Sequence, residues 1–328
     1  MRQEQETLTH FAPLGLLPLC GALIMATTGL KDDLKPMGIR HRLLIQASAS
    51  ALLGLYLYGF LGARPVFWHQ LGLLWQGIGL PGTLSDSLAT GQILLPSLLA
   101  GIVGTCLLLA CVWWINLFNF MDGIDGIAAS QAIFMLLAAT WLRGEGLTGD
   151  PPATISLIIV AATTGFLLLN WAPARIFMGD AGSLFLGYSI LGVAAFDITI
   201  DAIRHHQICQ EGWHSAATDR RGMSLWVWLI LGATFITDAT VTLIRRVLSG
   251  QNVGDAHRSH AYQRLSRHYG SHARATLVYC LLNIAWLLPL AWLAHHWPES
   301  AASAAGIAYT PLILLAWILG AGRKDPSP

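Results

Sequence analysis

Four short stretches of this 328-residue chain concentrate side chains able to do chemistry: KDDLKP at 31–36, NLFNFMDGID at 116–125, RIFMGDAGS at 175–183 and GDAHRSHAYQR at 254–264. In the first, Asp32 and Asp33 are adjacent carboxylates flanked by Lys31 and Lys35. Such a pair can share a divalent cation or hold a basic group, and it can equally be a solvated loop that caps a helix. The DDxxD diphosphate-binding pattern is not met, because Pro36 occupies its last position. In the second stretch Asn119, Asp122 and Asp125 stand at the edge of an apolar run. Asp122 and Asp125 are three apart, a spacing that predicts both carboxylates on one side of a helical turn. The two Asp-Gly pairs predict a turn or a broken helix mouth beside them. Polar groups at an apolar boundary are costly unless they are used.

Asp180 lies in the third stretch, between glycines that open another apolar run. It reads either as a plain helix start or as part of a phosphate site, since free N–H groups and the positive helix end favour an anion. An aspartate there suits the phosphate's metal better than the phosphate itself, and Mg2+ takes a few hard oxygen ligands alongside substrate phosphates. His257, Arg258 and His260, followed by Arg264, form the fourth cluster. They read as a basic loop or as a phosphate clamp, with the arginine fork and the titrating imidazoles as donors. Asp238, inside an apolar run seven residues before Arg245, fits an ion pair or hydrogen bond as well as it fits catalysis.

The elements that must position these groups follow from composition. Charged residues make up only 11% of the chain and hydrophobic ones 54%, against about 25% charged for a soluble domain. Nineteen basic and 18 acidic residues cannot cover a water-soluble surface of this size, and a net charge of +1 provides no field for nucleic acid. Five scattered cysteines form neither a metal motif nor a disulfide frame. Nine segments approach the length of about 20 apolar residues that a span requires: 11–29, 43–61, 92–115, 126–142, 153–170, 183–200, 223–244, 275–294 and 302–321. The prediction is an all-α polytopic membrane protein with about nine transmembrane helices. Lys and Arg divide thirteen to six between alternate loops, which places the N-terminus outside and the C-terminus in the cytoplasm. All four polar stretches then lie on the cytoplasmic side, where a soluble charged substrate could meet them.

In this order, KDDLKPMGIRHRLLIQ, WWINLFNFMDGIDGIAA, NWAPARIFMGDAGSLFLG and DAHRSHAYQRL resemble the polyprenyl-phosphate N-acetylhexosamine-1-phosphate transferases, glycosyltransferase family 4. The likeness is nearest to the branch that initiates O-antigen and other surface polysaccharides, and it covers about Leu30 to Leu265. It differs from the CDP-alcohol phosphotransferases, whose DGxxAR is replaced here by DGIAAS. The resemblance implies transfer of sugar 1-phosphate from a UDP-N-acetylhexosamine, or a 6-deoxy relative, to undecaprenyl phosphate, with release of UMP. It implies Mg2+, with Mn2+ as the alternative, in a bacterial inner membrane with the site facing the cytoplasm. By motif, Asp180 would be a metal ligand, with Asn119 as a second. Asp32 would orient or deprotonate the lipid phosphate, with Asp33 beside it. Asn119, Asp122 and Asp125 would position the nucleotide and diphosphate. Phe177, His257, Arg258, His260 and Arg264 would bind substrate.

Two rivals are phospho-MurNAc-pentapeptide transfer and, from another class, an ion-coupled transporter using Asp238 and the loop acids. A transporter would carry its charges at mid-membrane and show inverted repeats, whereas these acids crowd one side. The family carries two further spans before its DD motif, joined by a Pro-Arg-Gly-Gly type loop; here DD follows a single span and no Gly-Gly occurs. The expectation is therefore a single membrane-embedded domain over 1–328 that lacks a helical hairpin and is weak or inactive alone. A homodimer is left open.

Overall fold

The structure, a computed structural model, describes residues 16–60, 96–144, 151–211, 222–252 and 257–324. All regular elements among them are helical. They are α1 (Leu16–Leu34), α2 (Ile39–Phe60), α3 (Pro96–Met121), α4 (Ile127–Leu142), α5 (Pro151–Asn170), α6 (Gly179–Glu211), α7 (Leu225–Leu231), α8 (Ala233–Leu248), α9 (Ala261–Tyr269), α10 (His272–Leu282), a π-helical turn (Asn283–Leu287), α11 (Leu288–His296), a 3-10 turn (Pro298–Ser300) and α12 (Ala301–Ile318).

Each of the nine predicted segments falls on helix, but nine spans are not confirmed. Among the described residues five helices are long and apolar enough to cross a membrane, or six if α7 and α8 form one bent span. The reason is polar content and length. Lys31, Asp32 and Asp33 load the end of α1, and α4 has only 16 residues. The segment predicted as 223–244 is two helices that meet at 73°. The ends predicted at 11–15, 61 and 92–95 lie outside the described residues, as does the side chain of Cys209.

The contacts divide the chain into two compact units. The first contains α1, α2, α3 as far as Ile115, and α6 from Asp180. Its core joins Met25, Ala49, Leu53, Ile115, Leu184 and Tyr188, all almost wholly buried. Tyr188 donates its hydroxyl to the Ala49 carbonyl at 3.0 Å. Its ring lies against Gly21, where a Cβ would come within 1.9 Å of the phenol oxygen. Further along α6, Asp197 pairs with Arg143, and both side chains are buried. Pairing is what allows two charges to be taken out of water.

The second unit contains the rest of α3, α4, α5 and α7 to α12. Gln131, Thr234 and Asn283 form a buried polar knot there. Asn283 Nδ2 donates to Gln131 Oε1 at 2.6 Å, and Thr234 Oγ1 donates to Asn283 Oδ1 at 2.9 Å. Gln131 Nε2 donates to the Leu231 carbonyl at 3.0 Å, at the break between α7 and α8. A bend frees backbone groups that lipid cannot satisfy, and the knot supplies a partner for one of them. The short loop helix α9 separates polar from apolar residues on its two faces, and it ends on Gly270 at φ 59°, a left-handed cap that glycine adopts without strain.

Candidate active site

The first unit gathers Asp32, Asp33, Arg42 and Asp180. Asp32 and Asp33 occupy the last turn of α1, and Arg42 lies in the first turn of α2 beyond the Pro36 break. Arg42 Nη1 reaches Asp32 Oδ2 at 3.1 Å and Asp180 Oδ2 at 3.5 Å, so one guanidinium bridges two carboxylates that are 148 residues apart in sequence. The Met37 amide also donates to Asp32 Oδ1. Burial alone would raise the Asp32 pKa, but the hydrogen bonds from the Met37 amide and Arg42, with the charge of Arg42, outweigh it and hold the carboxyl below the ordinary aspartate value.

Asp33 points elsewhere. Its two oxygens accept from the backbone N–H of Asp180 at 2.9 Å and of Ala181 at 3.1 Å. Two of the N–H groups that could have faced a phosphate are therefore held by a carboxylate of the same chain, which also sits at the positive end of α6.

In the second unit, Asp122 and Asp125 do not share a helical turn. α3 stops at Met121, and 122–126 is an irregular link to α4 that turns at Gly126, φ 76°. The predicted broken helix mouth is present, and it overrides the three-residue spacing. Gly126 donates its amide to Asn170 Oδ1 at 3.0 Å, and Asn170 Nδ2 in turn holds the Ile176 carbonyl at 2.8 Å. Asp125 accepts from the Ala174 amide at 3.1 Å and meets His272 Nδ1 at 3.2 Å. The link at 122–126 and the 171–178 connection are thereby stitched together, with Phe177 left largely exposed at 78%. Asn119 lies in the last turn of α3, and its carbonyl accepts the Asp122 amide at 3.2 Å.

The histidine cluster is held from beneath by Asp238. That buried carboxylate accepts the amides of Ala261 at 2.8 Å and Tyr262 at 2.9 Å, capping α9 from another helix. It also accepts the Tyr279 hydroxyl at 2.6 Å and contacts His260 Nδ1 at 3.3 Å. Of the two readings of Asp238, hydrogen bonding is what the geometry shows. His260 is buried and stacked between His257 and Tyr262. Arg258 is exposed, and Arg264 Nη2 donates to the Arg323 carbonyl at 2.6 Å. Tyr262 reaches back to the mouth of α3, donating its hydroxyl to the Phe120 carbonyl at 3.0 Å, over Gly123, where a Cβ would lie 2.0 Å from the phenol oxygen. Burial, then the charges of Asp238 and Asp122, push the Tyr262 pKa well up, so it remains a neutral donor.

Sequence reasoning did not single out Arg42, His272 or Tyr262 as site residues. His272 belongs to a Ser-His pair that starts a helix, with Ser271 as its cap, and nothing in that local pattern points to Asp125.

Among the described residues no group of three or more His, Cys, Asp or Glu side chains is placed to hold a metal ion. This does not suit a cation caged wholly by protein. Mg2+ keeps waters and binds through one or two carboxylates plus substrate phosphates, and the Asp180 carboxylate is a hard oxygen donor of the kind such an ion would take.

Helices of membrane length, with carboxylate and arginine clusters near the ends of several, define a multi-pass helical membrane protein with polar clusters in each of its two units. The chain belongs to glycosyl transferase family 4, whose family model matches residues 16–197. It is 28% identical over 265 residues to a probable undecaprenyl-phosphate N-acetylglucosaminyl 1-phosphate transferase of Bacillus subtilis, covering 80% of this chain and 61% of the relative. It is 30% identical over 223 residues to a decaprenyl-phosphate N-acetylglucosaminephosphotransferase of Mycobacterium tuberculosis, covering 63% of this chain and 50% of the relative. A phospho-N-acetylmuramoyl-pentapeptide-transferase of Mycobacterium avium is 31% identical over 207 residues, covering 55% of this chain and 53% of the relative. The chain thus spans about half to three-fifths of the length of these curated relatives.

Proposed function

We propose that the protein transfers N-acetylhexosamine 1-phosphate, or a 6-deoxy relative, from a UDP-sugar to undecaprenyl phosphate, at the cytoplasmic face of a bacterial inner membrane. UMP leaves, and the lipid-linked product starts a surface polysaccharide such as O-antigen. The observation that carries this reading is the bridge from Arg42 to both Asp32 and Asp180, within the segment that matches the family.

An oxygen of the lipid phosphate attacks the sugar-bearing phosphorus of the donor. The bond from that phosphorus to the bridging oxygen breaks, and the electron pair leaves with UMP. A phosphate monoester has its second pKa near 6 and is mostly dianionic at pH 7, so little proton remains for a base to remove. Asp32, held ionised by Arg42, therefore serves to orient the reactants rather than to take up a proton. Asp180 would hold Mg2+ with the donor diphosphate, and the ion would neutralise charge building on the phosphates. Asn119, as a second ligand, and Asp122 and Asp125, as positioners of the donor, complete the reading. The exposed Phe177 ring offers a face for the uracil base. Arg258 and His257 bind the donor's phosphate or sugar end, while His260 and Arg264 hold their loop.

The test is UMP release by the purified chain in detergent or nanodiscs, omitting in turn UDP-sugar, Mg2+ and undecaprenyl phosphate. Weak release that needs all three is expected, and release independent of the lipid would overturn the reading. The relatives acting on the muramoyl-pentapeptide keep a second donor in view. UDP-N-acetylglucosamine, UDP-N-acetylgalactosamine and UDP-MurNAc-pentapeptide assayed side by side separate the two, with an N-acetylhexosamine donor expected to win.

A further inference from the structure

In sequence Asp32 and Asp33 look like one paired device, but their geometry separates them. Asp32 meets Arg42, whereas both Asp33 oxygens are spent on the first amides of α6. How Asp33 comes within reach is set one turn earlier on α1. Gly29 lies four residues before Asp33 and so on the same helix face. A Cβ there would come within 2.3 Å of the Asp180 carbonyl oxygen and 2.4 Å of the Ala181 nitrogen. These are backbone atoms that cannot rotate away. Restoring ordinary contact would push the helices apart by about 1 Å, enough to break two hydrogen bonds that are already near full length.

We propose that Gly29 and Asp33 form a docking clamp that seats the first turn of α6 on the end of α1, so that Asp180 stands beside Asp32 and Arg42. Asp33 is a positioning residue and does not ligate the metal or the lipid phosphate. The consequence for activity rests on the reading above; the clamp itself is a statement about backbone amides and can be tested separately.

The experiment compares the full chain with Gly29→Ala, Gly29→Val, Asp33→Ala and Asp33→Asn, using amide hydrogen exchange in detergent and transfer kinetics across Mg2+ concentrations. Gly54→Ala is the control, because nothing lies within 4 Å of a Cβ at that position on α2. Losing the cap should speed exchange of the amides at 180–183 about ten-fold in Asp33→Ala. Gly29→Val should match it, and a peptide from α4 should not change. Asp33→Asn keeps one carbonyl-type oxygen, so it should recover part of the protection and part of kcat, with half-saturating Mg2+ within about two-fold of the parent. Unchanged exchange at 180–183 in Asp33→Ala would overturn the clamp. So would an Asp33→Asn variant as inactive as alanine, with half-saturating Mg2+ raised about ten-fold or more, which is the mark of a lost ligand. If Gly29→Val does not accumulate in membranes, Gly29→Ala and the Asp33 pair give the same readouts. A parent chain that releases no UMP would sink the proposed function, while the exchange data would still decide the clamp.

Discussion

Replacing Asp238 by alanine removes the acceptor of three close buried donors, the amides of Ala261 and Tyr262 and the Tyr279 hydroxyl at 2.8, 2.9 and 2.6 Å, and of the more distant Thr242 hydroxyl at 3.3 Å. A buried donor left without its acceptor costs about 1–3 kcal/mol. Three together would exceed that range, but the site relaxes and admits water, and stripping one partner from a buried charged cluster costs about 3–5 kcal/mol. At roughly 2 °C per kcal/mol for a chain of this size, Asp238→Ala should melt about 6–10 °C below the parent, read by tryptophan fluorescence in detergent. Asp238→Asn keeps one oxygen to accept an amide and should lose about half as much. The loss should also be local, because the carboxylate caps α9. Trypsin cleavage after Arg258 and Arg264 should accelerate well before global melting. A variant that melts within about 2 °C of the parent, with unaltered cleavage at those two sites, would refute the role of Asp238 as the anchor of the loop helix.

Asp180→Asn should abolish transfer, while Asp32→Asn should keep a residual activity that grows as pH rises and more lipid phosphate becomes dianionic; full activity of Asp180→Asn in a labelled UDP-sugar assay would remove it from the metal site. Gly123→Ala should impair folding or activity by about 1–3 kcal/mol through overpacking, and Tyr262→Phe should partly rescue it, since the nearest clash is with the phenol oxygen at 2.0 Å; a double variant no better than Gly123→Ala would contradict the contact. For acid stability the sign follows from the depressed pKa of Asp32. Its ionised form stabilises the fold above the unfolded pKa of about 3.9, and this contribution is lost as pH falls through the lower folded value. Arg42→Gln should therefore move acid unfolding to higher pH, and an unshifted midpoint in a fluorescence titration would count against the bridge.

The apolar runs of the sequence were enough to locate helix at every predicted segment, because burying a backbone in lipid needs only a sufficient length of apolar side chains, a local property. Span count was less legible. Whether a helix qualifies depends on the few charges at its end, as in α1, and whether a segment is straight depends on contacts made by distant residues, as where Gln131 holds the bend after Leu231. The order of the four polar stretches carried the family. What the sequence could not show was the partner of each acid.

Asp32 and Asp33 are neighbours in the chain, yet one faces a guanidinium and the other a helix start, because successive helical side chains point about 100° apart. Asp122 and Asp125 have helical spacing, but the chain breaks after Met121 and the two share no helical turn. His272 reaches Asp125 across 147 positions, and Asp238 finds the amides of α9 more than 20 positions away. Residue type and periodicity are properties of a short stretch of sequence. A hydrogen-bond partner is set by which helices pack, how closely a glycine lets them approach, and which buried donor would otherwise go unsatisfied. Those conditions exist only once the chain is folded.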